Sequence, residues 1–176
     1  MVVLSLALAA CGTDGFSPKA MNGAVEKTDN KYSDYEVQAE ETLQKVDALV
    51  FEIENDETLS DIEQNTSLSL FKIGKIKDLL KDGLKPLLGK IGDIKTKIDD
   101  LKLQIEQQIS LLDPNDPQQK RLIEQLERVL DRIAKFEGKI DQAIDKLIAK
   151  IDIVDQLIDK LLQKLDGSLW QIPVQI

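Results

Sequence analysis

From Ile123 to Leu165 the chain carries one seam at alternating steps of three and four: Ile123, Leu126, Leu130, Ile133, Glu137, Ile140, Ile144, Leu147, Ile151, Val154, Ile158, Leu161 and Leu165. Twelve of these 13 positions are apolar. A stripe of that period belongs to a long helix that must bury one face against other helices. Asp116 is a good N-cap and Pro117 suits the first helical position, so the helix is expected over residues 117 to 166, with Gly167 as its C-cap. Fifty residues at 1.5 Å each make a rod of roughly 75 Å.

The rod contains a duplication. IDQAIDKLIAKID, residues 140 to 152, recurs as VDQLIDKLLQKLD, residues 154 to 166, offset by two heptads. Ile148, Leu157 and Leu162 widen its apolar face, which points to more than one neighbour and so to a bundle.

A second seam runs through Ile73, Lys77, Leu80, Leu84, Leu87, Ile91, Ile94, Ile98, Leu101, Ile105, Gln108 and Leu112, apolar at 10 of 12 positions. It predicts a helix over 67 to 112. Pro86 removes the hydrogen bond to the carbonyl of Asp82, so a kink is expected there, with the register preserved. Between the two long helices LLDPNDPQQK, residues 111 to 120, reads as a turn. Folding the chain at residue 115 brings Glu137 to Gly92 and Asp166 to Gln64. Glu137, Gly138, Gly89 and Gly92 then share one level, either a closely approached layer or loosely packed surface.

Ser33-Asp34-Tyr35-Glu36 matches the S-x-x-E capping box and precedes Ala39, Leu43, Val46, Val50 and Ile53, which predicts a first helix over 34 to 55. It is expected along the basal half of the hairpin. A further start signal lies at Ser60-Asp61-Ile62-Glu63. The expected fold class is all-α: an elongated antiparallel helical hairpin with a third packed helix, forming a three-helix, coiled-coil-like bundle over residues 34 to 167.

Ahead of the bundle stands LALAACG, residues 6 to 12, with the only cysteine in 176 residues. Residues 2 to 10 are an apolar run of signal-peptide length, too short to span a bilayer. A basic n-region is missing, so Met1 could be an internal methionine of the reading frame. Leu8-Ala9-Ala10-Cys11 has the form of a bacterial lipobox, and Gly12, Gly15 and Pro18 argue against a core helix around the thiol. Cys11 is therefore the expected lipidation site, with residues 1 to 10 as signal and residues 11 to 33 as a flexible tether.

The formal net charge is -9, and residues 26 to 66 hold 13 acidic against 3 basic side chains. With few aromatics, that leaves no phosphate-neutralising or base-stacking surface, so nucleic acid is not an expected partner. The chain has no histidine and no second thiol, hence no intramolecular disulfide and no common catalytic base. Neither an enzyme nor a cofactor or metal is expected. Asp145, Asp152, Asp159 and Asp166 repeat every seven residues, too far apart to meet on one ion, and read as a solvated stripe. Asp113-Pro114-Asn115-Asp116 is too poor in oxygen ligands for a calcium loop. Trp170, in the tail of residues 168 to 176, either covers the end of the bundle or offers a partner contact.

LALAACG, the LLDPNDPQQK turn between heptad arms and the IDQAIDKLIAKID repeat together resemble the small outer-surface lipoproteins of Borrelia spirochaetes, in particular the factor H-binding lipoproteins of relapsing-fever species. The resemblance implies a palmitoylated outer-membrane protein at the cell surface. It also implies capture of host complement factor H for immune evasion and an association with plasminogen. This chain ends in Ile176, so any plasminogen contact would need internal lysines. On the leading reading the partner contacts are Leu112, Asp113, Pro114, Asn115, Asp116, Pro117, Gln118, Gln119, Lys120 and Arg121, with Trp170 as the alternative. The membrane is then met through the lipid anchor only. The residues leave the oligomeric state open, with a monomer favoured. Two other readings stand beside it: a self-associating structural coiled coil, and a carrier of a small hydrophobic ligand between the helices.

Overall fold

The computed structural model describes residues 17–55 and 66–169, with side chains described for all of these except 66–69 and 167–169. The described chain is all-α: α1 (Pro18–Glu54), α2 (Thr66–Asp78), a π-helical turn (Leu79–Leu84), α3 (Lys85–Ser110) and α4 (Pro117–Leu169). The helices from α2 to α3 run on through the π turn, so three long rods pack together around one core.

The first helix begins sixteen residues earlier than the capping-box reading places it, and much of the expected tether is helical. Ser17 is the actual N-cap: its extended backbone lets Oγ accept from the Ala20 N–H at 3.1 Å, and Pro18 opens the helix. Ser33 sits exposed in the helix interior. The helix extends backward because Val25, Tyr32, Ala39, Val46 and Ile53, each seven residues from the next, are all buried. The alternate seam positions Asp29 and Glu36 are polar, which thins the period to one apolar residue every two turns.

The arms of the bundle are fixed by paired charges. Arg132 reaches Asp29 at 3.9 Å and Lys150 bonds Asp47, the same offset of 103 residues, so α1 runs parallel to α4 and in register with it. Thr42 meets Gly83 and Lys72 meets Glu52, so the second rod runs antiparallel to α1. With its added N-terminal half, α1 covers the distal hairpin as well as the basal half. Eleven residues back from the Asp29–Arg132 pair stand Pro18 on α1 and Arg121 on α4, one turn from the interhelical connection.

The π turn changes the register of α2. The Lys85 N–H donates to the Leu80 carbonyl, five residues back, immediately before Pro86, which has no N–H to give. One residue is taken up there without loss of helical dihedrals at Leu84 and Lys85. Upstream positions consequently turn by one residue. Ile76 is fully buried while the expected seam residue Lys77 is exposed, and Lys72 enters the interior beside Ile73. Its ammonium pairs with Glu52 at 3.3 Å.

On α4 Val129 and Phe136 are buried and Ala143 packs against the core, a row one residue ahead of the expected seam. Phe136 meets Tyr32 edge to face, centroids 5.3 Å apart. Ile148 and Leu162, expected to widen the buried face, are exposed, and Leu157 is half-buried. Glu137, the polar seam position, pairs with Lys102 at 3.0 Å instead of lying opposite Gly92. With the Lys95–Asp141 pair, this puts the α3 partners of α4 about six to ten residues later than a symmetric fold at 115 does. Gly89, Gly92 and Gly138 have open space around them, so they form no closely approached layer. The helix also runs through Gly167 to Leu169 instead of capping there. The residues of the Ser60 start signal, and Gln64, lie outside the described residues.

Candidate functional site

The turn between α3 and α4 is built from its own polar side chains. Asp113 Oδ1 accepts from the Asn115 backbone N–H at 2.9 Å and from Asn115 Nδ2 at 3.1 Å, an Asx turn that closes the loop. Asp116 caps α4: Oδ1 accepts from the Gln118 N–H at 2.8 Å and the Gln119 N–H at 3.4 Å. Gln119 joins the two halves, its Oε1 accepting from the Asp113 N–H at 2.8 Å and its Nε2 donating to Asp116 Oδ2 at 3.1 Å. The Gln118 backbone N–H, reinforced by the Gln119 side chain, holds the Asp116 carboxyl below the usual carboxylate range.

The expected contact residues from Leu112 to Arg121 are therefore brought together at one end of the rod. Leu112 is half-buried against the core; Pro114, Asn115, Gln118, Lys120 and Arg121 are exposed, and Leu111 beside them is 73% exposed. The carboxylates of this turn are spent on backbone N–H groups. Among the described residues no group of three or more Asp, Glu or Cys side chains could hold a metal ion. The Asp145, Asp152, Asp159 stripe, continued at Asp166, is exposed along α4. Trp170 lies outside the described residues. Because α4 leads away from the turn, Leu169 stands at the opposite end of the helix.

Two further features were not legible as sites. A groove of about 570 Å³ opens between α1 and the π turn, with Leu49 and Leu79 in its floor and Lys45, Lys75, Asp78 and Asp82 at its rim. Its size suits a small ligand, but its rim charges cancel and select no ligand class. Lys75 of that rim also lies over the Phe71 ring, 4.6 Å from its centroid. Phe51, Leu70 and Phe71 are each more than half exposed. The sequence signal for the groove is the Gly83 to Pro86 defect, which reads as a kink when only hydrogen-bond loss is considered.

No described helix is long and apolar enough to cross a membrane. Comparison of the chain with protein-family models, with curated proteins and with solved structures finds no match.

Proposed function

We propose that this chain is a lipid-anchored surface protein whose helical rod is a binding module for a host protein, with complement factor H as the partner that the sequence resemblance implies. The observation that carries the reading is a spacing: six residues separate Cys11 of LALAACG from Pro18, where the rod begins. An acylated Cys11 would hold a rigid helical body close to a lipid surface, the arrangement of a presented binding module. The long exposed faces of α1 and α4 supply area for a macromolecular partner.

The test is retention from serum. The chain from Gly12 onward, immobilised and washed at physiological salt, is expected to retain factor H, identified by mass spectrometry. If no serum protein is retained, binding of a host partner is wrong; if another is retained, the partner is wrong. A shorter fragment starting at residue 22 would remove the Ser17 cap and the buried Met21, so it is unsuitable.

Exposed Ile148, Ile153 and Leu162 on α4 favour a second reading, self-association through the duplicated segment. Sedimentation showing a monomer in dilute solution would remove it.

A further inference from the structure

We infer that the rod stands with its interhelical turn toward the membrane, so that Leu111 to Gln119 form the lipid-apposed surface and the opposite end of the bundle faces outward. This rests on Cys11 as the anchor, the reading proposed above, and on the direction of α1.

The direction is fixed by three contacts. Asp29 pairs with Arg132, Tyr32 donates to the carbonyl of Lys139 at 3.2 Å, and Asp47 pairs with Lys150. Residue numbers rise together along α1 and α4, so the start of α1 and the start of α4 are at the same end. Pro18 stands level with Arg121, and the turn ends at Asp116 one helical turn away. An attachment point at Cys11, seven residues ahead of Pro18, is at most roughly 25 Å from it with the chain fully extended. The 53 residues of α4 span roughly 80 Å. An upright rod therefore keeps its turn within tether reach of the lipid and its other end several times farther away.

The chemistry at the turn end is compatible with a headgroup layer. Leu111 is exposed, Lys19, Lys120 and Arg121 are exposed cations, and the turn carboxylates Asp113 and Asp116 are occupied by hydrogen bonds. These charges are mixed, so attraction is not what brings the turn to the lipid. The tether does so by holding it at high effective concentration. A soluble host protein then approaches the lateral faces and the far end, and the turn loses its place as the leading contact region.

The experiment uses energy transfer from tryptophan to dansyl-headgroup lipid in phosphatidylcholine vesicles that also carry maleimide-headgroup lipid, to which the Cys11 sulfur of the chain is coupled. Trp170, the only tryptophan, follows α4 directly and reports the far end. Asn115→Trp combined with Trp170→Phe reports the turn, and Gln118→Trp with Trp170→Phe repeats the measurement at a second exposed position. Transfer is expected to be several-fold higher from the turn tryptophans than from Trp170. Equal transfer, as from a rod lying flat, or higher transfer from Trp170, or none from either, would overturn the orientation. Because coupling is chemical, this outcome is independent of lipidation in cells. Intact mass of the membrane-extracted protein tests that separately, and an unacylated Cys11 there would remove the anchor reading itself.

Discussion

A β-carbon built on Gly83 would lie 2.9 Å from Thr42 Cγ2, the tightest approach at any described glycine. The Thr42 methyl cannot easily yield, because Thr42 Oγ1 donates to the Gln38 carbonyl at 2.8 Å and fixes the rotamer of a β-branched side chain. The wide π turn and α1 thus approach each other through a missing side chain.

Gly83→Ala and Gly138→Ala are therefore expected to move stability in opposite directions. Gly138 lies in α4 with open space around it, so alanine there should stabilise by about 0.5–1 kcal/mol through helix propensity. At Gly83 the same gain is outweighed by overpacking of about 1–3 kcal/mol. Thermal melting of the two variants checks the pair; two increases in Tm would mean that the α1–π-turn contact is looser than described.

Deleting residues 12 to 33 should lower Tm markedly. The segment contributes Met21, Val25 and Tyr32 to the core, and each buried apolar side chain of this size contributes roughly 1.5–3 kcal/mol. A passive tether would leave the melting temperature unchanged.

Asp116→Ala should also lower Tm at neutral pH, by removing the N-cap of α4. Since the folded-state pKa of Asp116 is lowered, its contribution is present above the ordinary carboxylate pKa and is lost as pH falls through the folded value. The Tm difference between the variant and the parent should consequently shrink as pH drops below about 4. A difference that is constant from pH 7 to pH 3 would contradict the capping role.

Tyr32→Phe should destabilise by about 1 kcal/mol, because the single hydroxyl proton is shared between Glu36 Oε1 and the Lys139 carbonyl, each at 3.2 Å. Burial, and then the Glu36 carboxylate, push the phenol pKa above its ordinary value. Folding thus favours the protonated phenol, and its stabilisation is present below about pH 10 and declines as pH rises beyond it. The alkaline loss of stability should be shallower in Tyr32→Phe than in the parent, read from denaturant midpoints between pH 8 and 11.

The helical class, the two long arms and the Asp116–Pro117 start of α4 were legible because each rests on local chemistry. A seam that is apolar at nearly every position needs no tertiary information to be recognised. The N-terminal half of α1 was hidden because Asp29 and Glu36 occupy seam positions, their carboxylates met by Arg132 and by the Tyr32 hydroxyl. Val129 and Phe136 escaped because a seam read against one partner omits the flank that meets a second. Lys72 was illegible for a different reason: only the extra residue of the π turn rotates it inward, and nothing in the local pattern shows that insertion. At the turn, the residues were identifiable as a group, while their position relative to Pro18 required the parallel docking of α1 on α4.

That parallel docking also sets an order of assembly. The hairpin closes through pairs such as Lys102 with Glu137, 35 residues apart, whereas α1 meets α4 across 103 residues. Closing the longer loop costs about 1 kcal/mol more in chain entropy, and it gains nothing until α4 exists to receive it. During vectorial synthesis α1 can meet the second rod first, through Glu52 with Lys72 and Thr42 with Gly83, while its pairing with α4 waits for the last third of the chain. The contact between the first helix and the last is the one that completes the fold.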